Sequence, residues 1–128
     1  VLPTGQLAPV SYLDGFTKTE LKAATFETYG YGLARDDVNG NSDPVAPTTV
    51  RRGATQTYLG DHNQVLNLSI HTHKDNGGGC FGDSGGPHLL DNVIVSITSA
   101  GDGKCVANDN TQRIDQPAIR AWITSFVD

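Results

Sequence analysis

The stretch Cys80-Phe81-Gly82-Asp83-Ser84-Gly85-Gly86-Pro87 sets one serine among three glycines, directly after an aspartate. A free hydroxyl is a poor nucleophile. It becomes effective on a tight turn that exposes its oxygen and aims neighbouring N–H groups at the oxyanion formed when it attacks a carbonyl. Gly82 can adopt positive φ, and without a Cβ it leaves room for a substrate carbonyl against the backbone. Gly-x-Ser-x-Gly alone also describes an ordinary surface turn. The longer order Gly-Asp-Ser-Gly-Gly-Pro singles out Ser84 as a candidate nucleophile for acyl transfer.

Outward from this loop, short β-rich runs alternate with glycine, proline, asparagine and aspartate, the pattern of an antiparallel barrel or sandwich. Candidate strands cover 24–33, 55–59, 64–71, 87–90, 92–99 and 111–114, enough to close a small six-stranded barrel. Val93, Val95 and Ile97 put apolar groups on one face at period two, which predicts a half-buried strand. The tail differs: Ile119, Trp122, Ile123, Phe126 and Val127 fall at helical spacing. We expect a C-terminal α-helix over 116–127, with Asp115 as N-cap, Pro117 in the first turn and the aromatic stripe docked on the barrel.

The 128 residues suit a single domain (1–128) with one modest core, and 37% hydrophobic content is ordinary for a globular chain. No apolar run approaches the roughly 18 residues of a membrane span, so no membrane partner is expected. A net charge of −5 argues against nucleic acid, which calls for a basic face. Metal sites are not expected either. Asp37, Asn39 and Asn41 have the spacing of a calcium loop, but Ser42 and Thr48 stand where its glycine and bidentate glutamate belong. His71 and His73 lack a third ligand, and Cys80 and Cys105 have no further ligands nearby. No cofactor is implied. Asn67-Leu68-Ser69 is a glycosylation sequon, a pattern too common to weigh.

The octet around Ser84 resembles the nucleophile loop of the chymotrypsin/trypsin-like serine endopeptidases, and the likeness extends along the chain. Leu66 to Ser69 and Asn76-Gly77-Gly78-Gly79 lead into the loop as in secreted bacterial members. Ile97-Thr98-Ser99-Ala100-Gly101 followed by Cys105 is similar to the substrate-binding strand and second cysteine, and Phe26 with Tyr29-Gly30-Tyr31-Gly32 to the strand with a Gly-aromatic-Gly signature. Val1-Leu2-Pro3-Thr4 looks like the crossing between two barrels. The match is to the second half of such a protease only. It implies an all-β, six-stranded antiparallel Greek-key barrel, one half of a double barrel, with residues 1–16 as the interbarrel linker region.

The resemblance also implies roles. Ser84 would be the catalytic nucleophile, the N–H groups of Gly82 and Ser84 the oxyanion hole, and Asp83 the loop-ordering carboxylate that pairs with a liberated chain terminus. Gly78, with Gly79, would floor the specificity pocket, where enzymes that cut after arginine or lysine carry aspartate. Asp109 is the nearest candidate to supply a carboxylate from the other wall. Ser99, Ala100 and Gly101 would offer a backbone edge to an extended peptide. A Cys80–Cys105 disulfide is implied, worth about 3–4 kcal/mol for a loop of this length; it would place the chain in a secreted, extracellular setting. Two buried free thiols are the alternative.

The family's general base and orienting aspartate belong to the first barrel, and neither context occurs here. His62 reads as a solvated turn residue; His88 reads as packed or hydrogen-bonded behind the loop. Loss of the base costs a serine protease on the order of a millionfold in turnover. The expected function is therefore that of a serine endopeptidase fragment acting on protein or peptide substrates, completed by an N-terminal barrel that supplies His and Asp. The alternative is a non-catalytic binding or regulatory module on the same scaffold.

Overall fold

The computed structural model describes residues 6–34, 49–70 and 77–126. The candidate calcium loop, the His71/His73 pair and Val1 lie outside them. Six strands, β1 (Phe26–Gly30), β2 (Arg52–His62), β3 (Val65–Ser69), β4 (Pro87–Leu90), β5 (Val93–Gly101) and β6 (Asn108–Arg113), close an antiparallel barrel. Their order around it is β1-β2-β3-β6-β5-β4. The β2–β3 hairpin turns at Asn63 and Gln64 and the β4–β5 hairpin at Asp91 and Asn92, all at positive φ. Such turns match the right-handed twist of their strands.

Alternation decides what the barrel encloses. Phe26, Tyr58, Leu66, Leu68 and Leu90 form the apolar part of the interior, and Gln56, His88, Ser96, Thr98, Asp109 and Thr111 form a buried polar set. Ser96 and Thr98 were not expected inside. A β-bulge between His88 and Leu89 shifts the register of β4 against β5, so Val95 is buried before it and Ser96 and Thr98 after it. Ile97, assigned to the apolar face by period two, is only partly buried. An extra residue in one strand interrupts strict alternation.

Residues 6–16 pack onto the barrel. Ala8 N donates to Ile94 O (2.9 Å) and Ile94 N to Gln6 O (2.8 Å), and Ala8 and Leu13 join the cluster containing Val95 and Phe26. A short helix follows, α1 (Lys18–Ala23), started by a reciprocal cap in which Glu20 N donates to Thr17 Oγ1 and Thr17 N to Glu20 Oε2. The sequence reading did not anticipate it.

The C-terminal helix α2 spans Pro117–Thr124 with Gln116, not Asp115, at its N-cap. Asp115 is fully buried and used elsewhere. Its carboxylate takes a two-point contact from Arg113 (2.9 and 2.8 Å) and a bond from Leu13 N (2.8 Å). Arg113 also reaches Asp14 at 2.8 Å. This ionic knot ties the N-terminal segment to β6. The aromatic stripe is likewise corrected. Trp122 and Phe126 are 64% and 71% exposed and stack edge to face at 5.0 Å, while Ile119 and Ile123 make the partial contact with the body. A helix this short turns only one narrow face inward.

Removing one partner of a buried pair strands the other charge, so Asp115→Ala should lower stability by roughly 3–5 kcal/mol. A denaturant-unfolding midpoint close to wild type would contradict this.

Candidate functional site

Ser84 lies between β3 and β4, on a turn fixed at both ends. Gly82 and Gly85 take φ of +99° and +81°, conformations that a Cβ would strain. Asp83 N donates to Cys80 O (3.0 Å), Gly86 N to Asp83 O (2.8 Å) and Gly85 N to Thr98 O (2.9 Å). The N–H groups of Gly82 and Ser84 donate to no described acceptor. Both residues are exposed, and the Ser84 side chain makes no hydrogen bond with a described residue.

The Asp83 side chain locks this turn to β1 and the segment after it. One carboxylate oxygen accepts from Gly32 N (2.7 Å) and the other from Cys80 N (3.0 Å). A Cβ on Gly30 would overlap that carboxylate, and one on Gly32 would stand 2.5 Å from it. The Gly30-Tyr31-Gly32 signature is thus the seat of Asp83. Leu33 N donates to Phe81 O (2.9 Å), a second tie between the same segments. Among the described residues the partners of Asp83 are backbone amides, not a chain terminus.

Cys80 and Cys105 form the disulfide. It joins the nucleophile loop to the turn after β5, which Asp102 organises by accepting from the N–H groups of Lys104, Val106, Ala107 and Asn108. Burial pushes the Asp102 carboxyl up, but these four bonds outweigh it and hold its pKa below the ordinary value.

The wall residues converge as well. Asp109, only 1% exposed, accepts on one carboxylate oxygen from Gly79 N (2.6 Å) and Gln56 Nε2 (2.7 Å). A Cβ on Gly78 would meet that same oxygen at 2.8 Å and Gln56 Nε2 at 2.7 Å. The carboxylate therefore occupies the space a side chain at 78 would fill, entering from β6. Burial raises its pKa, the bonds from Gly79 and Gln56 oppose this, and the nearby Asp83 and Asp102 charges add to the rise. Gln56, whose Oε1 is buried without a partner among the described residues, was missed in the sequence. Its only signal was a polar residue at an inward position of β2.

Ser99, Ala100 and Gly101 are exposed at the end of β5. Pro87 pairs with Ile97, so β5 runs past β4, and Ala100 and Gly101 have β6 on one side and no described strand on the other. His62 is exposed, as expected. His88 lies fully buried behind the loop, its Nε2 3.0 Å from Thr98 Oγ1.

The trypsin family model matches residues 6–123. The chain belongs to the trypsin family. Solved structures agree on the fold. A variant of human heparin binding protein superposes with a TM-score of 0.72 at 16% identity, over 96% of this chain and 49% of that one. A second variant of that protein gives 0.64 at 20% identity, over 80% and 43%. An inactivated protease paralogue from the scabies mite gives 0.58 at 13%, over 96% and 52%. The chain thus spans about half the length of these trypsin-family structures. No curated protein matches the sequence.

Two outcomes test this geometry. Gly32→Ala, which places a methyl against the Asp83 carboxylate, should cost about 1–3 kcal/mol and speed hydrogen exchange at the Cys80 amide; unchanged exchange would refute the seat. Burial lowers the His88 pKa from 6.5 to about 4. As pH falls, the unfolded chain takes up this proton first. The stability His88 contributes is complete above pH 6.5 and is lost progressively toward pH 4, a total of about 3 kcal/mol. The difference in unfolding free energy between wild type and His88→Leu should change by that amount across the window, and a constant difference would contradict it.

Proposed function

We propose that this chain is the C-terminal barrel of a secreted trypsin-like serine endopeptidase, one Greek-key half of a double barrel, joined through residues 1–16 to an N-terminal half. The observation that carries the reading is the turn at Ser84. The N–H groups of Cys80, Asp83, Gly85 and Gly86 are engaged, whereas those of Gly82 and Ser84, the two an oxyanion requires, donate to no described acceptor. Ser84 Oγ attacks the peptide carbonyl while a histidine of the N-terminal barrel, oriented by an aspartate there, takes its proton. The C–N bond breaks as that histidine protonates the leaving amine. Water then attacks the acyl-Ser84 ester and restores the hydroxyl.

Ala100 and Gly101, with Ser99, pair with the extended substrate on the open side of β5. Gly78 and Gly79 form the pocket floor, and Asp109 supplies, from the other wall, the carboxylate that position 78 lacks. The relatives' double length supports a missing half of equal size, and the exposed Trp122–Phe126 pair fits the surface it would cover. The disulfide supports an extracellular setting.

One observation favours a second reading, a binding module without turnover: a structural neighbour is an inactivated protease paralogue. A fluorophosphonate probe separates the two. In the protein containing both halves, Ser84 should gain the phosphonyl adduct and Ser84→Ala should not. The 1–128 chain alone should react on the order of a thousandfold more slowly or worse. Absence of the adduct from the two-half protein would leave the non-catalytic reading.

A further inference from the structure

The buried polar set behind the loop contains a contact with no place in the reading above. His88 follows Ser84 by four residues on β4, is fully buried, and pairs in register with Thr28 of β1 and Ser96 of β5. Its Nε2 lies 3.0 Å from Thr98 Oγ1, while its Nδ1 is buried without a partner among the described residues. An imidazole is an expensive core filler when one nitrogen stays unsatisfied. What it holds is Thr98.

Thr98 grips the nucleophile loop on three atoms. Its N–H donates to Gly86 O (2.9 Å), its carbonyl accepts from Gly85 N (2.9 Å), and its hydroxyl faces Gly86 O at 3.4 Å. Its methyl also abuts Gly79 across the pocket wall, 3.1 Å from where a Cβ would stand. Thr98 pairs with Thr111 of β6 but lies one residue past the last β4 pair. The β4 ladder ends at the Pro87–Ile97 pair, and the β6 ladder is interrupted between Thr98 and Ala100. The His88 contact gives Thr98 a side-chain anchor at the edge of the β4 ladder, in addition to its pairing with β6. With the proton on Nε2, the bonds run in one direction, from His88 Nε2 to Thr98 Oγ1 and on to Gly86 O.

We propose that His88 is a positioning residue for Ser84, acting through the Thr98 hydroxyl to set the Gly85-Gly86 turn. The inference rests on Ser84 being the nucleophile, but its mechanical part does not. The test uses the protein with both halves and three variants. His88→Leu removes the donor, His88→Gln keeps a donor nitrogen near the position of Nε2, and Thr98→Val removes the hydroxyl at nearly constant volume.

In peptide hydrolysis, His88→Leu and Thr98→Val should each lower kcat by about tenfold or more with KM within about threefold, the mark of misplaced reacting atoms. The double variant should lose no more than about the larger single effect, because both break one chain. His88→Gln should recover most of the loss. Wild-type kcat in Thr98→Val, or a His88→Gln as impaired as His88→Leu, would overturn the proposal in favour of plain packing. Should His88→Leu fail to fold, Thr98→Val and His88→Gln decide. Amide exchange at Gly85 and Gly86 reads the same contact without catalysis: faster exchange in Thr98→Val supports it, and unchanged exchange overturns it. A wild type that is inert to fluorophosphonate would sink the nucleophile reading alone, leaving the exchange result to judge His88.

Discussion

Both oxygens of the Asp83 carboxylate accept backbone N–H groups, from Gly32 and from Cys80, and the position of Ser84 follows from that constraint. A carboxylate held by two amides is a charge-assisted contact, stronger and more directional than a neutral one. It fixes the peptide on either side of it, including the N–H of Ser84 itself. The seat has room only because positions 30 and 32 lack side chains. Two glycine-rich stretches some fifty residues apart in sequence are thereby one device, and the Cys80–Cys105 bridge adds the third fixed point.

The barrel interior is mixed, with Phe26 opposite Gln56 and Leu68 opposite Asp109. Phe26, Tyr58, Leu66, Leu68 and Leu90 supply the apolar part of the interior, and burial of such side chains stabilises it by roughly 1.5–3 kcal/mol apiece. Among them lie Gln56, His88, Thr98 and Asp109, with atoms of Gln56 and His88 unpaired among the described residues. Buried polar groups reduce stability where they lack partners. Here they lie beside the residues whose geometry matters for chemistry, where departures from an ideal core are expected.

The sequence made most of this legible for reasons specific to particular residues. The glycine pattern around Ser84 announces its own backbone, since positive φ at Gly82 and Gly85 needs no tertiary information. Strand β4 was read at its observed bounds because Pro87 and the Asp91-Asn92 turn punctuate it. Asp109 was reachable as a wall residue, though not its burial against Gly79. Other features depend on contacts that a linear pattern does not carry. Asp115 has the chemistry of an N-cap, but Arg113 and Leu13 claim its oxygens first. Trp122 and Phe126 share helical spacing with Ile119 and Ile123, and spacing alone does not say which arc of the helix faces inward. The bulge in β5 moved Ser96 and Thr98 inside against the apparent alternation. Helix α1 was missed although Thr17 and Glu20 spell its cap; six residues give too short a period to notice.

Apolar packing and hydrogen bonding divide the work of holding a reactive group. Hydrophobic contact is non-directional; it fills space and leaves a loop free to slide by fractions of an ångström at little cost. A hydrogen bond weakens steeply with angle and distance. The run from His88 through Thr98 to the Gly85-Gly86 turn, together with the Asp83 seat, constrains the loop from two directions: one contact comes from β4 and β5 inside the barrel, the other from the segment after β1. Two non-parallel directional ties define the position of the turn between them far better than either does alone. A leucine at position 88 would suit the barrel's stability better, yet it would leave the Thr98 hydroxyl with only the long contact to Gly86 O. The polar interior behind the loop is therefore best understood as geometric, giving up some stability for a fixed Ser84.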